Sequence, residues 1–314
     1  MSKPPWRTVF FGTPSFALPI LKALFQGKEE VLAIVTQPDR GKGRGQKMAP
    51  SPVKELALQY GIIPLQPEKV REVSFVEAIQ KLKPDLFVVV AFGQILPKVL
   101  LEIPRFGAIN VHASLLPRYR GAAPIAWAIL RGEKMTGITT ILMDEGMDTG
   151  DILMQVEIPI EEGDTAETLQ EKLSSLGAPL LIETIERMKA GSISVLPQDP
   201  TKATYAPQMK KEDGRIDWKK GAEEIDRQVR AFNPWPGAFT GWDNRLLKIY
   251  HGEVRKGKSQ GKAGEVVWTG ADFIEVETGR GSFLIKEVQP EGKRRMAMRD
   301  FLSGHSIPVG TVFH

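Results

Sequence analysis

The chain has 314 residues, 42% hydrophobic and 25% charged, the balance of an ordinary globular protein and a length that favours two domains. It has no cysteine, which excludes disulfides, zinc-thiolate sites and cysteine nucleophiles, and no run of about 18 apolar residues, so no membrane span is expected. The net charge of +4 lies wholly beyond residue 206, since Lys+Arg and Asp+Glu number 23 each over 1–206 but 19 and 15 over 207–314, an excess that suits a polyanion or an indifferent surface alike.

The opening MSKPPWRTVFFGTP passes almost directly into the strand-like TVFFG with no apolar leader, so a cytoplasmic chain is expected. The pattern predicts a helix around Leu18 to Phe25, a strand at VLAIVT, helices around Val53 to Tyr60 and Val73 to Leu82, and a strand at DLFVVVAFG. AINVH, a helix around Pro124 to Leu130, GITTILM, DILMQVEIPI and a long helix from about Thr165 to Lys189 follow. Nearly continuous apolar strands alternating with amphipathic helices indicate an α/β sheet covered on both faces. The segment AGSISVLPQDPTKATYAPQM has no helical period and three prolines, and reads as a linker. Beyond it EEIDRQVRAF is a short helix, and RLLKIY, GEVVWTG, FIEVET and GSFLIKEV are short strands between glycine-rich turns, the pattern of a small β-barrel. The expected division is 1–189, a linker over 190–207, and a second domain over 208–314.

AINVH carries the first chemical signal. Polar residues that end an apolar strand project into the crevice where open α/β sheets bind ligands. Asn110 and His112 are two residues apart, so an extended backbone points both to one face and Val111 to the other. His112 is also the only histidine before the linker. About 35 residues later the acidic, glycine-containing loop MDEGMDTGDIL offers Asp144, Glu145 and Asp148, one of which can return a carboxylate to the imidazole. Amide and imidazole donors with an orienting carboxylate suit acyl transfer. A strand-end histidine beside an ordinary turn is the competing reading, and spacing alone leaves both standing. The G-x-S-x-G elbow of a Ser114 triad is missing, one histidine and no cysteine supply too few soft ligands for a metal, and FFGTPSFA lacks dinucleotide-loop spacing.

The set NVHASLLPRYRGAAPIAWAIL followed by MDEGMDTGDIL resembles the folate-dependent formyltransferases, whose members share Asn-x-His, then Ser-Leu-Leu-Pro, then Asp. FGTPSFA, TQPDRGKGRGQKMAPSPVK, VVVAFGQILP and RAFNPWPG extend the resemblance over nearly the whole chain, to the branch of the family that acts on methionyl-initiator tRNA. Ala113 stands where many relatives carry glycine. The resemblance implies a Rossmann-like N-terminal formyltransferase domain and an OB-like C-terminal β-barrel domain that binds tRNA. It implies 10-formyltetrahydrofolate as co-substrate without a metal, initiator methionyl-tRNA as partner, and a monomeric chain. Asn110, His112 and Asp148 would be catalytic; Ser114, Leu115, Leu116 and Pro117, with Gln94, Leu96 and Asp144, would hold the folate. No covalent enzyme intermediate is implied: Asn110 and His112 would donate to the developing oxyanion, while Asp148 either takes the amine proton or only orients His112. Phe16 is open between a pocket for the methionyl side chain and a core position.

The segment 40–47 brings Arg40, Lys42, Arg44 and Lys47 together with glycines and no acid. Such a segment can neutralise RNA phosphates or be a solvated loop; the resemblance assigns it to the tRNA acceptor arm. Lys293, Arg294 and Arg295 are open between further phosphate contacts and a surface cluster. Competing functions on the same residues are formylation of a nucleotide or nucleotide-sugar amine, hydrolysis of the formyl donor, and non-catalytic tRNA or folate binding.

Overall fold

The computed structural model describes residues 4–42, 47–243, 245–257 and 261–314, with Lys42 and Lys47 described through their backbone. In chain order the first elements are β1 (Arg7–Gly12), α1 (Leu18–Gln26), β2 (Glu30–Val35), β3 (Arg40–Lys42), β4 (Lys47–Ala49), α2 (Pro52–Gln59) and α3 (Val73–Lys81). Next come β5 (Leu86–Val90), α4 (Lys98–Leu101), β6 (Ala108–His112), α5 (Pro124–Arg131), β7 (Met135–Leu142), β8 (Asp151–Pro159) and α6 (Ala166–Ala190). The described residues fall into two compact units that interleave along the chain. One takes Met1–Pro124, Met135–Ile158 and Gln170–Ala206; the other takes Ile125–Lys134, Pro159–Leu169 and Pro207–His314.

The first unit is built on a six-stranded sheet of order β2-β1-β5-β6-β7-β8, parallel from β2 to β6, with β7 antiparallel to β6. Its central strands read as unbroken apolar runs because both faces are covered: every residue of β5 is buried. On one face Val9, Phe11, Phe87, Val89 and Ala108 pack with Phe75 and Ile79 of α3. Ala108 is two residues before Asn110, so period-2 alternation puts Asn110 and His112 on this face, beyond its apolar cover. Val111 points the other way, towards α6, which approaches closely at Gly177. The helix α2 begins where Ser51 Oγ accepts from the Lys54 amide at 3.1 Å, followed by a proline at the first helical position. At the far end of α6, Lys189 Nζ lies 2.5 Å from Glu29 Oε1, and both side chains are nearly buried.

The second unit carries α7 (Ala222–Ala231), β9 (Ala238–Trp242), β10 (Arg245–Arg255), β11 (Val266–Thr269), β12 (Ile274–Glu277), β13 (Ser282–Pro290), β14 (Met296–Ala297) and α8 (Met298–Leu302). Its antiparallel sheet has the order β11-β12-β13-β10-β9, with β14 beside β13. Register shifts around His251 bend β10, and Trp218, Val229, Ile249, Phe283 and Phe301 join one core. The predicted strands and helices of both halves are present within a residue or two, except that β5 ends at Val90, three residues short of DLFVVVAFG, and β10 runs on to Arg255, five residues beyond RLLKIY. The elements α4, β9, β14, α8 and the β3–β4 hairpin were outside the prediction, because segments this short show no hydrophobic period.

A Cβ at Gly177 would stand 3.1 Å from Ile20 Cδ1 and 3.2 Å from Val111 Cγ1. Gly177→Leu therefore overpacks the α6–β6 contact, which outweighs the roughly 1 kcal/mol a helix gains when glycine is replaced. The unfolding free energy, read from the urea midpoint, should fall by about 1–2 kcal/mol; a higher midpoint would refute the close approach.

Candidate active site

The C-terminal end of β6 and the loop between β7 and β8 bring Asn110, His112 and Asp148 together. Asn110 Nδ2 donates to Asp148 Oδ1 at 3.1 Å, and His112 Nδ1 lies 3.6 Å from the same oxygen. The His112 and Asp148 side chains are 7% and 15% exposed, so the pair stands largely out of solvent. On the other edge of the ring, Nε2–H donates to the Tyr119 carbonyl at 2.9 Å. Both ring nitrogens thus face oxygen atoms, but 3.6 Å is longer than a hydrogen bond and leaves Nδ1 without a partner from Asp148.

Two backbone groups that the sequence reading did not single out complete the arrangement. The Tyr119 carbonyl fixes the imidazole, and the Gly121 amide donates to Asp148 Oδ2 at 2.8 Å. Both belong to the turn RYRG after the Ser-Leu-Leu-Pro segment, whose glycine was the available signal. Tyr119 and Asp148 have φ of 61° and 55°, left-handed values that non-glycine residues seldom adopt.

The other anticipated residues lie around this centre in different ways. Ser114 is buried, its Oγ donates to the Arg118 carbonyl at 2.6 Å, and its carbonyl accepts from Thr139 Oγ1 at 2.6 Å. The Leu116 amide donates to that same Thr139 oxygen, and Gln155 Nε2 donates to the Leu116 carbonyl at 2.9 Å. The segment Ser114 to Pro117 is thereby fixed as backbone. Gln94 turns its amide towards residues 67–70, accepting from the Val70 amide at 3.0 Å. Leu96 is a core residue, 3% exposed, and Phe16 is buried as well. Only the backbone of Leu96 is left to contact a ligand.

Asp144 Oδ1 accepts from the Gly146 amide at 3.0 Å and Thr149 Oγ1 at 2.6 Å, closing the acidic loop on itself. With Lys98, Met143 and Thr149 it lines an open depression. Lys98 lies 3.1 Å from Glu145, and that hydrogen-bonded carboxylate holds its ammonium above the ordinary lysine value.

The basic segment forms the antiparallel β3–β4 hairpin, with Arg40 paired to Ala49 and Lys42 to Lys47. Arg40 is exposed, its guanidinium 3.4 Å from Gln37 Oε1, whereas Arg44 lies outside the described residues. The hairpin's root is tied down: Asp39 accepts from Lys54 at 2.7 Å and from Gln66 at 2.8 Å. Those two hydrogen bonds, Lys54 first, hold the Asp39 carboxyl below the usual carboxylate range. In the second unit, Arg295 forks onto Glu287 with two contacts of 2.6 Å, so it is already paired, while Lys293 and Arg294 are exposed.

Among the described residues no three His, Cys, Asp or Glu side chains are grouped to hold a metal, and no helix is long and apolar enough to cross a membrane.

Comparison with known proteins follows the two halves of the chain. The family model described as formyl transferase matches residues 6–185, and that described as formyl transferase, C-terminal domain, matches residues 208–306. A methionyl-tRNA formyltransferase of Citrifermentans bemidjiense is 52% identical over 304 residues, covering 97% of this chain and 95% of that protein. One of Caldanaerobacter subterraneus subsp. tengcongensis is 50% identical over 307 residues, covering 98% and 99%. HypX from Aquifex aeolicus in complex with tetrahydrofolic acid aligns with a TM-score of 0.66 at 18% identity, over 98% of this chain and 50% of that one, so this chain spans half its length. WlaRD, a sugar 3N-formyl transferase solved with dTDP and 5-N-formyl-THF, aligns with a TM-score of 0.66 at 21% identity, over 93% of this chain and 100% of that one. These structural likenesses bear on the fold, a Rossmann-like domain and an OB-like antiparallel domain.

Gly121 has φ of 119°, and a Cβ there would lie 2.8 Å from the Ala206 carbonyl oxygen. Gly121→Ala should therefore lower the unfolding free energy by about 1–3 kcal/mol, measured by urea denaturation; an unchanged midpoint would contradict the strained turn.

Proposed function

This chain belongs to the methionyl-tRNA formyltransferases, and from that membership we propose how its residues divide the work of the reaction. The enzyme transfers the formyl group of 10-formyltetrahydrofolate to the α-amino group of methionyl-initiator tRNA, giving the formylmethionyl-tRNA of translation initiation.

In our reading Asn110, His112 and Asp148 are the catalytic set. The observation that carries it is the shared Asp148 carboxylate, which accepts from Asn110 and the Gly121 amide and faces His112. Two donors on one carboxylate that also faces His112 favour an orienting role for Asp148 over that of a free base. Asn110 keeps a second amide hydrogen and His112 an uncommitted Nδ1. Asn110, and His112 when its ring carries both protons, donate to the formyl oxygen as it gains charge when the amine adds, which is where preorganised donors lower a barrier most. The amine loses one proton and the departing folate nitrogen gains one, so a turnover exchanges no net proton with the enzyme.

Ser114, Leu115, Leu116 and Pro117 form the folate-binding segment, with backbone at Gln94 and Leu96 and the acidic loop at Asp144 completing it. What supports this is that these side chains are already used internally, leaving a rigid backbone to be read by the ligand. The hairpin bearing Arg40, Lys42, Arg44 and Lys47 contacts the tRNA acceptor arm, and the domain over 208–314 adds phosphate contacts. Residues 1–189 are the catalytic domain. The chain works as a monomer in the cytoplasm, since one copy holds the whole catalytic set and translation supplies the acceptor.

In single-turnover assays, Asn110→Ala should lower the formyl-transfer rate by roughly 10²–10³ while leaving tRNA affinity near its original value. A near-normal rate would remove Asn110 from the chemistry. Replacing Lys42 and Arg44 together with alanine should weaken tRNA binding and flatten the plot of log K against log salt by about 1–2 units. An unchanged slope would separate the hairpin from the phosphates.

A further inference from the structure

The segment after α6, read from composition as a linker, is stitched into the first unit on either side of the candidate site. Its early part pairs with β8, where the Ile152 and Leu196 amides and carbonyls exchange bonds of 2.8 and 2.9 Å. Its later part runs beside the RYRG turn. The Arg120 amide donates to the Thr204 carbonyl at 2.8 Å, the Ala206 amide to the Arg120 carbonyl at 2.7 Å, and the Tyr119 amide to Thr204 Oγ1 at 2.8 Å.

Between these anchors lies Gln198. Its Nε2 donates to the carbonyl oxygens of Asp148 and Gly150 at 2.8 and 2.7 Å. Its Oε1 accepts from Arg120 Nε at 3.1 Å and Nη2 at 2.7 Å. Arg120 is itself 5% exposed. Both amide hydrogens and the amide oxygen are therefore in use, in a geometry that an apolar or a carboxylate side chain cannot reproduce.

We propose that Gln198 is a positioning residue for formyl transfer: braced by Arg120, it holds the Asp148 backbone in its left-handed conformation and so aims the carboxylate at Asn110 and His112. The physical need is specific. Asp148 occupies a φ of 55°, which a non-glycine residue leaves unless its surroundings determine it. The Asp148 side chain is held by Asn110 and Gly121, and Gln198 supplies the corresponding grip on the carbonyl side of the same residue. A catalytic group displaced by about 1 Å loses on the order of 10² in rate. The inference rests on the reading that Asp148 takes part in the chemistry.

A double-mutant cycle on the full-length enzyme tests it, with kcat and KM measured for both substrates and folding checked by thermal melts. Gln198→Met should lower kcat by roughly 10–100-fold with both KM values changed less than about 3-fold. In an Asp148→Asn background the same substitution should change kcat by less than about 3-fold, because Gln198 acts through the carboxylate already removed. Equal losses in the two backgrounds, a kcat within about 2-fold of the original, or a change confined to KM would each overturn the proposal. Should Gln198→Met not fold, Gln198→Glu, which keeps the size and the Arg120 contact but lacks the donors, carries the same cycle. Failure of both to fold would make the role structural and also overturn it. Normal turnover of Asp148→Asn alone would instead refute the reading of Asp148, whereas an impaired Asp148→Asn beside an unimpaired Gln198→Met refutes only the present inference.

Discussion

Asp148 stands in a backbone conformation that costs a non-glycine residue on the order of 1–2 kcal/mol, and the arrangement of the site depends on it staying there. From that position one carboxylate oxygen takes the Asn110 amide and faces His112, while the other takes the Gly121 amide. A residue relaxed into an ordinary turn would carry the carboxylate away from β6, and the two donors on that strand would lose their common reference. The surrounding hydrogen bonds thus serve geometry first: they offset local backbone strain with contacts that exist only when three separate pieces of chain are assembled.

The sheet supplies the rigid part. The donors sit two residues apart on β6, between β5 and β7, and successive side chains of a strand alternate strictly between faces. Val111, lodged against α6 at Gly177, fixes which face is which. A slip of one residue in register would turn Asn110 and His112 towards α6 and Val111 into the site, so the core enforces the direction of the catalytic side chains. The loops supply what the sheet cannot, namely a carbonyl for the imidazole and an acid that approaches from the other side. Binding and reacting groups on loops held by a rigid sheet are the usual arrangement in such folds.

The charge distribution fits an enzyme that must hold a large polyanion beside a small, mostly neutral reaction centre. The first 206 residues balance their charges, and the cationic excess lies beyond them. Within the first unit the root of the basic segment is pinned, since Asp39, Lys54 and Gln66 bind one another. Arg295, one of three adjacent cations in the other unit, is already committed to Glu287, which shows that sequence charge and available charge differ.

By itself the sequence determined the alternation of buried strands and helices, the change of texture near residue 200, and the pairing of Asn110 with His112, because these depend on local periods of 2 and 3.6 residues. Family motifs further linked Asp148 to that pair. Hydrophobic pattern did not reveal α4, α8 or the β3–β4 hairpin, which are too short to show one. The tertiary structure decided everything that depends on partners distant in the chain. Gln94 and Leu96 were expected near the ligand through the backbone of their strand end, and it is the fold that commits their side chains to residues 67–70 and to the core. The Tyr119 carbonyl and the Gly121 amide are backbone groups, identical in kind at every position, and only the folded path of the chain aims them at His112 and Asp148. Gln198 lay in a proline-rich stretch whose composition predicts a tether. Its amide acquires a role because the fold lays it between a buried guanidinium and two carbonyls, and a hydrogen bond's direction is a property of three-dimensional placement that no one-dimensional pattern encodes.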